Sequence, residues 1–588
     1  MTRRDLLWLL GSAASGAQAQ QSAGMASRGL GANPRGKPSG LPFHARFTDI
    51  AAQAGLRAPV IYGPEGRTDY ILESMGCGVA FFDYDNDGWL DVFVLSGTRR
   101  NGPVAGATNR LYKNNRDGTF TDVTQEAGLT RQDWACGVTI GDYNNDGFED
   151  IFISQWGQNV LYRNNGDGTF TDVTREAGLL HEGRRWGTGC TWVDYNRDGL
   201  LDLFVAHYVV FDFQSVPATG HNPNCNFKGV PVYCGPSSLQ PERCLLYRNN
   251  GDGTFTDVTR SAGIDRAAPT FGLTAMAADY FGSGWPDIYV ASDSTPSLLF
   301  RNQRDGSFIE QGLELGLAVN EDGAVQAGMG LGLGDFNTDG SLDVLKTHFS
   351  EDTAILYRNA GRGGFEDVTM RSGVGVETRY VGWGAGIQDF DNDGLPDLFW
   401  VTGSVYPEVE KVHPDYPYKT PRVLFRNLGN GKFEELTTAA GPAIAEAHSS
   451  RGAAFGDFDN DGDMDILIMN VNEPPSLLRN DVSGGAHWLK VKLVGTKSNR
   501  SAIGATVVAT YGGRRQAQAV TAQSSYLSVN DRRLHFGLGA AQSADLEIWW
   551  PSGLREPIKA VSADRLITIQ EGAGVVKVES FSATRQTR

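Results

Sequence analysis

No stretch of the 588 residues approaches the roughly 20 consecutive apolar residues that a membrane-spanning helix needs, so no membrane span is expected. Cysteine is scarce, six in all, too few to staple a chain of this length. Gly-x-Ser-x-Gly, His-Glu-x-x-His and a phosphate-binding loop are all missing, which removes the nucleophile, zinc and nucleotide sites most readily seen in sequence. The net charge is −17, yet the acids never form a long block, so an acidic tail is excluded and nucleic acid is a poor partner. Glycine is abundant, 74 residues, but follows no Gly-X-Y period, which excludes collagen. Plentiful aromatic and β-branched runs exclude a disordered chain. An all-β protein with many tight turns remains.

Residues 1–19 read as an export signal: Arg3 and Arg4, a short apolar run from Leu6 to Leu10, and Ala17-Gln18-Ala19 as a cleavage site. The paired arginines resemble a twin-arginine signal. Export to the periplasm or the extracellular space is expected. Residues 20–42, rich in Gly, Ser, Pro and Ala, read as a linker.

Two units then recur seven times each. The first begins at Phe47, Phe120, Phe170, Phe255, Phe308, Phe365 and Phe433, as in Phe120-Thr-Asp-Val-Thr-Gln-Glu-Ala-Gly-Leu. The second is an apolar run entering an Asp-rich loop whose first acids are Asp83, Asp142, Asp194, Asp279, Asp335, Asp389 and Asp457. Each period of about 55 residues parses into four short strands, as expected of a propeller blade. The last blade lacks its fourth strand, and Phe47-Thr-Asp-Ile50 has no blade of its own. The N-terminal strand is therefore expected to complete blade seven and close a seven-bladed propeller over residues 43–481. Asn-Asn-Gly-Asp-Gly-Thr-Phe from Asn164, and close copies elsewhere, read as hairpin turns between strands three and four.

The Asp loops carry the chemistry. Oxygens at positions 1, 3, 5 and 9 of a curling backbone, with a carbonyl at position 7, suit a hard cation that takes six to eight oxygen ligands. The complete sets are Asp83, Asp85, Asp87, Trp89 and Asp91; Asp142, Asn144, Asp146, Phe148 and Asp150; Asp194, Asn196, Asp198, Leu200 and Asp202; Asp335, Asn337, Asp339, Ser341 and Asp343; Asp389, Asp391, Asp393, Leu395 and Asp397; and Asp457, Asp459, Asp461, Asp463 and Asp465. An EF-hand would need Glu at position 12; here Val94, Ile153, Val205, Lys346, Trp400 and Ile468 stand there, so each loop joins two strands. About six Ca²⁺ ions are expected. The fourth loop, from Asp279, has Phe281 and Ser283 in place of acids and is expected to bind metal weakly or not at all.

These loops and their Phe-x-Asp-Val-Thr partners resemble the FG-GAP/VCBS repeats of integrin α-chain propellers. His487-Trp-Leu-Lys-Val-Lys-Leu, Asn499-Arg-Ser-Ala-Ile-Gly504, Leu534-His-Phe-Gly-Leu-Gly539 and Trp550-Pro-Ser-Gly553 look like an ASPIC/UnbV domain, here over 485–574, before a tail at 575–588. The pairing resembles the cartilage acidic protein family and its bacterial relatives, which implies secretion, calcium and an extracellular role without fixing an activity. Without the resemblance, residues 487–571 still read as short strands with Gly turns, hence a small β domain.

Cys77, Cys136 and Cys190 share one face of strand one and are expected buried and reduced; Cys225 and Cys234 are expected to bridge locally, with Cys244 as a competitor. Two insertions, 206–243 and 402–422, lie between strands two and three and so reach the rim opposite the Asp loops. They bring His207, Tyr208, Phe211, Phe213, His221, Tyr233, Tyr406, His413, Tyr416 and Tyr418 to that mouth. Segments entering strand one add Glu73, Trp134, Arg185, Trp186, Gln326, Arg379, Tyr380, Trp383, His448 and Arg451. The reading this favours is an extracellular binding module for a glycan, peptide or protein. The alternative is an enzyme at the same mouth, with His207, His448, Arg379 and Tyr380 as acid–base or orienting groups.

Overall fold

The computed structural model describes residues 25–580, apart from residues 32 and 103. The expected signal at 1–19 lies outside the described residues. The chain is almost wholly β. Seven four-stranded antiparallel units follow one another, with innermost strands Val79–Phe82, Trp134–Gly141, Arg185–Val193, Gly272–Ala278, Leu331–Gly334, Gly382–Gln388 and Ser450–Gly456. Blades two and three are further joined by Arg185 opposite Gly157 and Trp186 opposite Trp156. Phe47–Asp49 pairs with Ser476–Asn480 and is the fourth strand of the seventh sheet. Gly452 N donates to Cys77 O at 3.2 Å, so the seventh sheet abuts the first.

Apolar runs such as Val79-Ala-Phe-Phe82 and Val92-Phe-Val94 are buried throughout, because each blade packs on two neighbours and has little solvent face. Beyond the blades, two further four-stranded sheets form a sandwich. One orders Leu534–Gly539, His487–Val494, Arg565–Gln570 and Gly574–Glu579; the other orders Arg514–Ala519, Thr506–Tyr511, Ser543–Trp549 and Arg555–Ser562. Leu489, Val491, Val507, Ala509, Phe536, Ile548 and Ile569 share its core. The tail expected from residue 575 begins later, since Gly574–Glu579 is a strand of this sandwich.

The sandwich sits on the rim formed by the Asp loops. Ala517 N donates to Asp335 Oδ2 at 3.0 Å, Arg514 Nη1 to the Asp393 carbonyl at 2.7 Å, and Arg197 Nε to the Pro551 carbonyl at 2.7 Å. From it, residues 523–531 enter the central channel and pair with inner-strand edges that would otherwise be unsatisfied. Val138 N donates to Leu527 O (3.1 Å), Phe81 N to Val529 O (3.1 Å), and Leu331 and Ser525 exchange backbone bonds of 2.6 and 2.7 Å. The approach is close enough that a Cβ at Gly78 would stand 1.8 Å from Leu527 O.

The described part of the segment expected to be a linker is instead applied to the propeller surface. Arg28 pairs with Asp352 and Arg35 with Glu377, while Leu30 N donates to Glu351 O. Its composition is that of a linker, but its two arginines meet carboxylates some 320 and 340 residues away, contacts that sequence proximity cannot show.

Candidate functional site

Each Asp loop is a β–β connection shaped by its own carboxylates. In the first, Asp87 N and Gly88 N donate to the two oxygens of Asp83 (2.9 and 3.0 Å), and Trp89 N donates to Asp87 Oδ1 (3.0 Å). Asp91 is anchored from the sheet by Asn114 N (2.8 Å) and Tyr84 N (3.2 Å). The same pattern recurs in the other five complete loops. Position 4 is left-handed throughout them, with positive φ at Asn86, Asn145, Arg197, Thr338, Asn392 and Asn460. Asn is the commonest residue there because it tolerates that region best after Gly.

Acidic triads converge in three loops: Asp83, Asp85 and Asp91; Asp389, Asp391 and Asp397; and Asp457, Asp459 and Asp465, each with oxygens within 4.8 Å of one another. In the second, third and fifth loops position 3 is Asn, whose side-chain NH₂ instead donates to the position-5 acid, as Asn144 does to Asp146 at 2.8 Å. Burial and neighbouring acids push these carboxyls up: Asp91 to about 8, Asp142, Asp194 and Asp461 to about 7, and Asp463 to about 8. An all-oxygen donor set whose members resist ionisation together fits a divalent cation.

Loop seven adds a contact that the sequence concealed. Lys490, from the sandwich, places Nζ 2.7 Å from Asp457 Oδ2, and both side chains are fully buried. Burial pushes the Asp457 carboxyl up, but Lys490 and Arg533 outweigh it and the net direction is down.

The fourth loop carries its own cation. Arg301 pairs with Asp287, and its guanidinium lies 3.9 Å from the centroid of Phe281, the residue at position 3. The expected outcome of Asp279→Asn is an unchanged metal stoichiometry, against the loss of one ion for Asp397→Asn. Metal counting on dialysed protein checks this; loss of an ion from Asp279→Asn would show that loop four is a working site.

At the opposite rim the two insertions pack on each other. Phe227 contacts Tyr406, Tyr416 and Phe349, with centroids 5.6 to 5.9 Å apart, and His413 Nε2 lies 2.9 Å from the Lys228 carbonyl. Cys225 and Cys234 are disulfide-bonded within the first insertion, while Cys77, Cys136, Cys190 and Cys244 are free and buried. Tyr208, Tyr233, Tyr406, Trp186, Trp383 and Arg451 are wholly buried. These buried aromatics therefore pack on one another and do not line a concave mouth, because burying their apolar faces is worth more than leaving them open, while Phe213, Tyr416 and Tyr418 stay half-buried. The chamber lined by Arg379, Tyr380, Tyr406 and Tyr416 measures about 20 Å³, room for a water molecule.

The four candidate catalytic residues are scattered. His207 is fully buried on a strand, and burial holds its pKa well below the usual value. His448 pairs with Glu473 at 3.1 Å, and Arg379 with Glu377 while stacking on Tyr380 at 4.7 Å. No hydrogen bond or ion pair among the described residues links His207, His448 and the Arg379–Tyr380 pair. A larger cleft of about 440 Å³ lies where the sandwich faces loops one and two, lined by Asp83, Asp142, Lys492, Arg500 and Arg532. Sequence reasoning missed it because it needs the docked arrangement of both parts.

Residues 83–153, 142–205, 279–346, 335–400 and 418–468 match the FG-GAP-like repeat, and residues 495–576 match ASPIC and UnbV. Cartilage acidic protein 1 of Mus musculus is 25% identical over 533 residues, covering 84% of this chain and 73% of that protein. The Xenopus tropicalis protein of the same name is 25% identical over 509 residues, covering 81% and 70%. Among solved structures, BBS1N in complex with ARL6DN aligns with a TM-score of 0.40 at 10% identity, over 76% of this chain and 99% of that one.

Proposed function

Because the chain belongs to the FG-GAP-like repeat family and carries an ASPIC and UnbV domain, we propose that it is an exported, calcium-binding β-propeller acting as an extracellular binding module. Asp and Asn side chains at positions 1, 3, 5 and 9 of six loops, with the position-7 carbonyls, would hold the ions; calcium would supply charge neutralisation and rigidity, not chemistry. The observation that carries the reading is the division of the two rims. The Asp-loop rim is covered by the sandwich, and both insertions are built over the other, where Val210 and Val412 stand 55% and 61% exposed. Apolar side chains presented on rigid, interlocked insertions suit a protein or peptide partner. The chamber beside Arg379 and Tyr380 has room for a water molecule alone and does not suit substrate turnover at that point.

The expected result is capture of extracellular material on immobilised calcium-loaded protein, lost in Val210→Asp/Val412→Asp, with no change in the mass of small molecules or glycans incubated with it. Capture that survives both substitutions would move the interface elsewhere. A mass change in the incubated material would replace the binding reading with the enzymatic one.

A further inference from the structure

The described residues of 25–46, all but residue 32, contain no helix and no strand, yet they are held along the propeller from the mouth to blade seven. Ala26 N donates to Ser294 Oγ (2.8 Å), and Ser27 Oγ to the Ser350 carbonyl (2.9 Å), both on strand two-to-three connections at the mouth. Arg28 is the anchor: Nε donates to Asp352 Oδ1 and Nη2 to Thr353 Oγ1, each at 2.7 Å, while Nη1 lies 3.3 Å from Asp322. The Asp352 side chain is fully buried and is fixed from behind by Gln326 Nε2 at 2.7 Å. Asn33 then donates to the Gly375 carbonyl (2.7 Å), and Arg35 bridges Glu377 and Glu435, whose side chains are only 2% and 10% exposed.

Two features set this strap apart from a structural strand. Its hold is polar and made mostly by side chains, Leu30 N to the Glu351 carbonyl being a backbone exception, since its buried apolar residues are Met25 at one end and Ala45 at the other. The surface beneath it also offers more than the strap uses: among the described residues, Asp352 Oδ2 and Gln326 Oε1 are buried without a partner. A buried carboxylate with spare acceptor capacity, preset by a glutamine, is built to receive a planar guanidinium fork. Arg28 and Arg35 stand seven residues apart, a reach of at most ~25 Å when extended.

We propose that the surface over blades five and six is a recognition groove for an extended, arginine-bearing peptide, with Asp352, Thr353 and Gln326 as its guanidinium pocket. The chain's own residues 25–40 fill this groove as a built-in competitor. The proposal rests on the reading of the protein as a binding module and gives that module a partner chemistry. A tethered competitor acts at an effective concentration of order millimolar, so a partner gains entry only by binding more tightly or by releasing the strap.

The test uses a fluorescent synthetic peptide of residues 25–40, titrated by anisotropy into calcium-loaded protein. It is expected to bind a variant lacking residues 25–40, to bind at least ~10-fold more weakly when the peptide carries Arg28→Ala, and to leave the intact chain untouched. Should the shortened variant not fold, the full chain carrying Arg28→Ala and Arg35→Ala replaces it and is expected to admit the peptide. Absence of binding to a folded strap-released variant overturns the proposal, as does equal binding of the Arg28→Ala peptide. The titration needs no natural partner and is expected to be indifferent to Val210→Asp/Val412→Asp. Peptide exchange without capture of extracellular material would therefore sink the module reading and leave the groove standing; capture without exchange would do the reverse.

Discussion

Chelation of calcium is expected to lower the melting temperature by about 10 °C or more at pH 8, and by much less at pH 5. The first part follows from linkage: ions bound only by the folded chain stabilise it, each by about 2.7 kcal/mol at a hundredfold excess over its dissociation constant. The pH dependence follows from the metal-free loops. Burial and mutual repulsion raise Asp91 and Asp463 to about 8 and Asp142, Asp194, Asp335 and Asp461 to about 7. An unfolded aspartate titrates near ~3.9. Between the two values the folded metal-free chain binds protons that the unfolded chain does not. Its stability is thus greatest below the unfolded value and is lost as pH rises through 7 to 8. Calcium replaces those protons, so the gap between loaded and chelated protein widens with pH. Calorimetry at pH 5 and pH 8, with and without chelator, checks both statements. Equal melting at pH 8, or a chelated chain more stable at pH 8 than at pH 5, would remove the loops as the source of stability.

The loops were legible because their information is local. Oxygen donors, the left-handed position 4 and the Gly at position 6 lie within nine residues, and seven copies separate the pattern from chance. The exception is also visible there: Phe281 and Ser283 mark a loop short of two acidic ligands, although the compensating Arg301 lies on a strand fourteen residues past Asp287. What stayed hidden depends on distant pairs. Aromatic residues in an insertion can face a ligand or one another, and Phe227 chooses Tyr406 and Phe349, 179 and 122 positions away, a pairing that no periodicity encodes. The strap reads as a linker because Gly, Ser and Pro dominate it; its fate is decided by carboxylates on blades five and six. A partial signal existed for the filled channel. Gly78, Gly137, Gly189, Gly330, Gly384 and Gly452 occupy matching positions in or just before six inner strands, where something must come close, and Cβ atoms there would meet neighbouring backbone or the channel segment within 3 Å.

That channel segment gives the second large effect. Tyr526 is fully buried at the propeller centre, its ring lies edge-on to Trp383 with centroids 4.9 Å apart, and its hydroxyl donates to the Met75 carbonyl at 3.2 Å. Tyr526→Ala removes a large buried ring, and the channel walls are held by seven blades and cannot collapse onto the space. A loss of about 3–5 kcal/mol is therefore expected, at the upper end for such truncations. Tyr526→Phe keeps the ring and leaves one carbonyl short of a donor, so about 1 kcal/mol is expected. The position of the loss matters as much as its size. Because residues 523–531 belong to the sandwich in sequence but satisfy the inner strands of the propeller, both parts are expected to melt in one transition, and Tyr526→Ala to shift that transition whole. Two transitions in the parent chain, with Tyr526→Ala moving only one, would mean that the segment decorates the channel without joining the two folds. A single shifted transition would make the sandwich the piece that completes the propeller from within, in the way that Phe47–Asp49 completes blade seven from its edge.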